Sequence, residues 1–130
     1  MTRKEKRKQF GSWLKKVREN ASLTQADLAK AMSYDNPQII SNIERGVSAL
    51  PTKRISEFAA ALKCDPVELE FRWLAASAQI EETAEACSLA LKYLPAMRMF
   101  EQQAPSEQQV LALVQNMRMA HSAAAHPSNL

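Results

Sequence analysis

Residues 23–46 read LTQADLAKAMSYDNPQIISNIERG, and this stretch predicts two short helices joined by a tight turn. The segment between them, Tyr34-Asp35-Asn36-Pro37, combines turn-forming residues with a helix start. The apolar positions recur at helical spacing in both halves: Leu28, Ala29 and Met32 in the first, Ile39, Ile40 and Ile43 in the second. Two packed helices with a short linker can present the second helix at the surface.

The predicted second helix has a polar face as well as an apolar one. Asp35 or Asn36 caps its start, and Pro37 fits its first turn, where no N–H group is required. Ile40 and Ile43 face inward. The other side carries two amides, a hydroxyl and a guanidinium, from Gln38, Ser41, Asn42 and Arg45. Gln and Asn can bond adenine and Arg can bond guanine, so this face suits the reading of base edges. A merely solvated helix is the alternative, although such a face more often carries Glu and Lys.

Further amphipathic helices are predicted on either side of this stretch. Before it, a buried stripe of one helix is formed by Phe10, Trp13, Leu14 and Val17, with Lys15, Lys16 and Arg18 on the outer faces. After it, a second stripe is formed by Ile55, Phe58, Ala59 and Leu62. Asp65-Pro66 then marks the start of another helix.

Three polar residues at predicted helix starts are candidates for contacts with phosphate. Gln25 follows the N-cap Thr24, where free backbone N–H groups and an amide donor favour an anion. Lys53 and Arg54 stand at a helix start, where they oppose the helix dipole. Such a placement hints at another use, such as phosphate contact. For Gln25, an exposed polar residue without a ligand is the alternative.

Composition and charge indicate a helical protein with a polyanionic partner. The chain has 130 residues with only 2 Gly and 6% aromatic residues, which counts against an all-β sandwich. Residues 1–64 contain 13 Lys and Arg against 6 Asp and Glu, whereas residues 65–130 contain 4 against 8. A basic first half suggests a polyanion, although uneven solvation of two faces gives the same numbers.

Several classes of function are not expected from this sequence. No apolar run approaches the ~20 residues of a membrane span, and no apolar core follows the basic N-terminus as in a secretory signal. Cys64 and Cys87 are expected to be core thiols of a cytoplasmic protein. His121 and His126 lie near no nucleophile or carboxylate. We therefore expect no enzyme, no metal site and no cofactor.

An ordered set of motifs resembles the Cro/C1-type (XRE-like) helix-turn-helix repressors over about residues 10–74. The matching motifs are Leu23-Thr24-Gln25, Leu28-Ala29, Ile40-Ser41, Ile43-Glu44-Arg45-Gly46, Pro51 and Leu62-Lys63-Cys64-Asp65-Pro66. The resemblance implies a five-helix, lambda-repressor-like all-α domain that binds double-stranded operator DNA, usually as a dimer. It also implies that Gln25 contacts phosphate and that Gln38, Ser41 and Asn42 face the groove. Lys53 and Arg54 would meet the DNA backbone.

The turn between the two helices departs from the commonest form of this family. The segment from Ser33 to Pro37 is one residue longer, and the usual Gly after the first helix of the motif is missing. Asn36, Gln38 and Ile39 all remain open as the first residue to meet a base.

Two terminal segments flank the domain, and the sequence leaves their roles open. Residues 1–9 form a basic lead that is expected to be frayed or a solvated extension of the first helix, and that is either a basic arm on DNA or a soluble tail. Residues 75–120 predict helices with an apolar stripe of Ile80, Ala84, Cys87, Leu91 and Leu94, then Pro95 as a kink or an end. A capping box at Ser106 and Gln109 starts a last helix, and residues 121–130 are predicted to be disordered.

The C-terminal helices are too short to form a core of their own. We expect a homodimer interface there. A flap on the same chain and a site for a peptide, a small ligand or a second protein remain the alternatives. A site for a second protein would be typical of an antitoxin, or of a phage or mobile-element repressor.

Overall fold

The computed structural model describes residues 1–102 and 106–125, and every regular element within them is helical. The elements are α1 (Arg3–Asn20), α2 (Gln25–Ala31), α3 (Gln38–Glu44), α4 (Ile55–Leu62), α5 (Pro66–Ser77), α6 (Glu81–Gln102) and α7 (Glu107–Ala125), with a 3₁₀ turn at Thr52–Arg54. The predicted all-α class, with five helices followed by additional C-terminal helices, is confirmed.

The chain divides into two compact units, and the boundary falls inside α6. The first unit, Met1–Ser88, contains α1 to α5 and the beginning of α6. The second unit begins at Leu89 and contains the rest of α6 and α7.

One apolar core holds the first unit together. Its largest fully buried side chains come from α1 to α5 and the loop before α4: Leu14, Leu28, Met32, Ile40, Ile43, Leu50, Phe58, Leu62 and Leu69. The stripes predicted for α1 and α4 therefore face the core. Phe10 and Trp73 add an edge-to-face ring contact between α1 and α5, with centroids 5.2 Å apart.

The basic lead is part of α1 and not a separate tail. The Thr2 hydroxyl accepts the Glu5 N–H, and the Glu5 carboxylate accepts the Thr2 N–H, which forms a capping box. Arg7 stacks over the Trp73 ring at 5.6 Å, and Lys6 pairs with Glu81 at 3.3 Å. α1 consequently begins at Arg3 and the lead is the helical extension of the domain.

Several helices end in a residue with left-handed backbone. Ser22 follows α1 with φ 59°, Ser33 follows α2 with φ 61° and Gly46 follows α3 with φ 78°. At α2 the N–H groups of Ser33 and Tyr34 return to the carbonyls of Lys30 and Ala29, which completes a Schellman motif. Ser33 thus adopts a left-handed conformation at the position where the resemblance implied Gly, and Gly46 occupies the corresponding position after α3.

In the second unit, α6 continues through Pro95 to Gln102, so the prediction that Pro95 could end this helix is wrong. α7 starts at the predicted capping box, where Ser106 and Gln109 exchange two hydrogen bonds. The Tyr93 hydroxyl donates to the Asn116 carbonyl at 3.2 Å and links the two helices.

The predicted stripe and the predicted tail of the C-terminal segment are each only partly confirmed. Ala84 and Cys87 are buried, but Ile80 is 61% exposed because it precedes the first residue of α6. Disorder was predicted from His121, whereas α7 continues to Ala125. Residues 126–130 lie outside the described part of the chain.

Candidate nucleic-acid interface

Four polar residues of α3 lie together on its outer side. Gln38 and Arg45 are exposed, and Ser41 and Asn42 are partly exposed. The residues are spaced at i, i+3, i+4 and i+7, so they share one helix face. The Gln38 amide donates to Asn42 Oδ1 at 2.9 Å, and Arg45 Nη2 donates to the same oxygen at 2.7 Å. This face offers donors and acceptors of the kind that read base edges.

The inner side of α3 attaches the helix to the core. Ile40 and Ile43 are 0% and 1% exposed. Ile39, the third apolar residue that the sequence grouped with them, is 38% exposed and does not share their buried face. Successive helix residues are rotated by about 100°, and therefore Ile39 points to the edge of the outer face and not into the core.

A buried ion pair also holds α3 in place. Arg18 Nε and Nη2 donate to the two carboxylate oxygens of Glu44 at 2.6 and 3.0 Å, and the side chains are only 7% and 4% exposed. Arg18 Nη1 also donates to the Leu23 carbonyl. The hydrogen bond to Glu44 raises the pKa of Arg18, and burial opposes this in part. The placement of Arg18 on an outer face of α1 was wrong, because Glu44 neutralises it inside.

Gln25 extends this network to the start of α2. Its Nε2 donates to Glu44 Oε1 at 3.0 Å, and the residue is partly exposed. Thr24, the predicted N-cap of α2, forms a capping box with Asp27 through two hydrogen bonds. The carboxylate of Asp27 accepts the Thr24 N–H, which lowers its pKa. Gln25 was predicted to contact phosphate, and the structure adds a partner inside the protein.

The backbones of α1 and α3 approach each other closely at Gly11. A Cβ atom on Gly11 would overlap the carbonyl oxygen of Glu44. A Cβ on Gly46 would lie 3.0 Å from the backbone nitrogen of Lys8. Glycine at these two positions therefore allows α1 to cross the C-terminal end of α3.

The turn before α3 is fixed by side chains on both sides. Asn36 is exposed, and its Oδ1 accepts the Gln38 N–H at 2.8 Å, in agreement with its predicted capping role. Pro37 precedes α3 as its N-cap residue, so its predicted place in the first turn shifts by one residue. Arg54 Nη2 donates to the Met32 carbonyl at 2.8 Å, and its guanidinium lies 5.1 Å from the Tyr34 ring centre.

Arg54 and Lys53, which were predicted to act alike, differ in their surroundings. Arg54 pairs with Glu57 at 2.8 Å, and this contact raises the pKa of Arg54 and lowers that of Glu57. The Arg54 guanidinium is therefore already paired within the protein, with Glu57 and with the Met32 carbonyl. An arginine that served only to contact the DNA backbone would not need these contacts. Lys53 is exposed at the surface.

Comparison with protein families identifies this arrangement. A family model described as Helix-turn-helix, of the Cro/C1 type and XRE-like, matches residues 14–69. Residues 14–69 are a helix-turn-helix domain. No curated protein and no solved structure matches the chain significantly. Domains of this family belong to DNA-binding regulators and are generally not enzymes.

The matched residues 14–69 include both α2 and α3. The outer face of α3 carries the polar residues described above. The residues that sequence reasoning missed are the ones that support this helix: Gly11, Arg18, Tyr34 and Glu44. A glycine inside the amphipathic pattern of α1 was the one available signal.

Three further features of the described residues concern metal ligands, membrane-spanning helices and free thiols. Among the described residues, no group of His, Cys, Asp and Glu could hold a metal ion, and no helix is long and apolar enough to cross a membrane. Cys64 and Cys87 are free thiols, and burial raises the pKa of both.

Proposed function

We propose that the protein is a sequence-specific transcriptional regulator, acting as a repressor, that binds a near-palindromic operator as a homodimer. The observation that carries this proposal is the outer face of α3, where amide and guanidinium groups stand exposed on a helix anchored by two buried isoleucines. In helix-turn-helix proteins the second helix enters the major groove. We further propose that the protein is cytoplasmic and lies on the nucleoid when bound.

In this proposal the residues of the site divide into three roles. Gln38, Ser41, Asn42 and Arg45 meet base edges, and Asn36 stands at the end of α3 that enters the groove. Gln25 and Lys53 meet phosphates, where Gln25 can use the second N–H of its amide. Arg54 acts by holding Tyr34 and the Met32 carbonyl, and so positions the turn before α3.

The homodimer is proposed from the second unit. Its exposed apolar side chains include Met97, Met99, Val110, Leu111 and Met119, between 38% and 71% exposed. A unit of about 40 residues buries little surface and therefore has little stability of its own. Leaving this many apolar side chains in water lowers that stability further and is typical of an interaction surface. A second copy of the same unit would cover them and place two α3 helices on one operator.

Selection of bound sites from random double-stranded DNA, with the mass of the free protein measured alongside, tests the proposal. We expect an enriched sequence with two inverted half-sites whose centres are ~34 Å, or one helical turn, apart or a multiple of it. The mass of the free protein should be that of two chains. Recovery of random sequences would contradict specific binding, and a single half-site with a one-chain mass would contradict the dimer.

Gln38→Ala gives a residue-level test of the same proposal. We expect the variant to lose on the order of 1–3 kcal/mol of binding free energy for the selected site, because an exposed amide facing a base is removed. A gel-shift titration measures this loss. Gln79→Ala, the same change at an exposed position between α5 and α6, should leave affinity unchanged. Equal affinities of both variants would remove Gln38 from the set of base readers.

A second candidate function rests on the same apolar surface. Methionine side chains adapt to different partners, and Met97, Met99 and Met119 are exposed. The second unit could therefore bind another protein that controls DNA binding, as in an antitoxin or a mobile-element repressor. Co-purification of a partner in fixed stoichiometry with the full chain would favour this function over a plain homodimer.

A further inference from the structure

Three side chains of α3 are joined through a single oxygen atom. Asn42 Oδ1 accepts one hydrogen bond from Gln38 Nε2 at 2.9 Å and another from Arg45 Nη2 at 2.7 Å. An amide oxygen has two lone pairs, and both are used here. Asn42 is thus the centre of a connected group, which we call the Asn42 triad, made of Gln38, Asn42 and Arg45.

The guanidinium of Arg45 fixes the orientation of both amides. Arginine has only N–H donors, so the Asn42 atom that faces Nη2 must be the oxygen and cannot be the nitrogen. The Gln38 atom that faces this same oxygen must then be a nitrogen. The chain of contacts therefore removes the twofold ambiguity that each amide would have alone.

The fixed orientation determines which groups remain for a ligand. Gln38 keeps its Oε1 acceptor and one N–H of Nε2, and Asn42 keeps only the two N–H donors of Nδ2. None of these groups has another hydrogen-bond partner in the described part of the chain. Asn42 can therefore donate but can no longer accept.

We propose that Asn42 is a specificity-determining residue that presents Gln38 as an adenine reader and acts itself only as a donor. Adenine offers an N6 donor and an N7 acceptor, which match the Oε1 and the remaining N–H of Gln38, whereas guanine offers two acceptors. Asn42 can donate to guanine, to thymine O4 or to adenine N7, but it has no free acceptor for cytosine N4. This inference rests on the proposed function, since it requires α3 to face the major groove.

The experiment compares base preferences of Asn42 variants on the operator selected with the unmodified full chain. Gln38→Ala and Asn42→Ala first identify which base pair each residue reads. Competition gel shifts then measure the preference for each of the four bases at both positions. Circular dichroism confirms that every variant is helical, and Ser12→Ala, an exposed change on α1, serves as the control.

Two substitutions of Asn42 have opposite expected effects at the base read by Gln38. Asn42→Ala removes the shared acceptor, and we expect the adenine preference there to fall roughly tenfold although Gln38 is intact. Asn42→Asp keeps an oxygen for both donors but has no N–H. We expect it to retain the adenine preference at that base while preference at its own base moves to cytosine, whose N4 donates to a carboxylate.

The outcomes separate this inference from the proposed function. An unchanged adenine preference at the Gln38 base in Asn42→Ala would overturn the inference and leave specific DNA binding intact. So would a preference for guanine at that base in the unmodified protein. An unchanged base preference in Gln38→Ala would also overturn the inference, because Gln38 would then read no base. Failure of the unmodified protein to select any sequence would instead contradict the proposed function itself.

Discussion

Arg18 and Glu44 illustrate how one buried pair of residues can determine where a helix lies. The carboxylate of Glu44 receives the guanidinium of Arg18 and the amide of Gln25, so α1, α2 and α3 meet at one charged group. Burial of both charges is tolerated because each is hydrogen-bonded on several atoms. The pair consequently couples the position of α3 to the rest of the core.

We predict that Glu44→Ala destabilises the protein strongly. The variant leaves the Arg18 guanidinium buried without its counter-charge, which costs about 3–5 kcal/mol of unfolding free energy. Urea unfolding followed by circular dichroism measures this loss. Glu81→Ala removes an exposed partner of Lys6, with 70% of the side chain in solvent, and should change stability by less than about 1 kcal/mol. Similar losses in both variants would contradict the role assigned to the buried pair.

Lys53 is predicted to contribute to DNA affinity without contributing to specificity. If it contacts a phosphate, Lys53→Ala should weaken binding to all sequences alike and reduce the slope of log affinity against log salt by about one. Gel shifts of the selected and a scrambled site at several salt concentrations measure both quantities. Lys92→Ala removes the same charge outside the helix-turn-helix domain and should leave the slope unchanged. A loss restricted to the selected site would show that Lys53 reads bases.

Among the helices, periodicity alone could predict the buried faces that are set by residues close together in the sequence. Phe10 and Leu14 of α1, and Phe58 and Leu62 of α4, are buried as their spacing indicated. The burial of Arg18 could not be predicted in this way, because its partner Glu44 lies 26 residues further along the chain. The polar positions of α3 were identifiable from residue type, but their joining through Asn42 Oδ1 depends on rotamers.

The crossing of α1 and α3 leads to a prediction whose sign opposes helix propensity. Gly11→Ala should stabilise an isolated helix by about 1 kcal/mol. In this fold the new Cβ would overlap the Glu44 carbonyl, so we expect a loss of about 1–3 kcal/mol or more in urea unfolding. Ser12→Ala, the exposed neighbour, should change stability by less than about 0.5 kcal/mol. A more stable Gly11→Ala variant would show that the two helices can separate at low cost.

For the chain as a whole, charge and exposed apolar surface are divided unequally. The excess of Lys and Arg lies in residues 1–64, which include almost all of the helix-turn-helix domain, whereas the second unit has several exposed methionines. The unequal charge is visible in the composition, whereas the exposed methionines of the second unit required the structure. The sequence could not predict that the division between units falls inside α6, because a continuous helical pattern does not show which half packs with which neighbour.

The dimer proposal predicts that one charge on the second unit changes the oligomeric state. Leu111 is 56% exposed, so Leu111→Glu should fold normally but place a charge in the interface. We expect a one-chain mass by sedimentation equilibrium and at least tenfold weaker binding to a two-half-site operator, since the halves no longer bind as a linked pair. Asn116→Glu adds the same charge about 140° around α7 and should remain dimeric. An unchanged two-chain mass in Leu111→Glu would show that the dimer interface lies elsewhere. A one-chain mass for the unmodified protein would contradict the dimer itself.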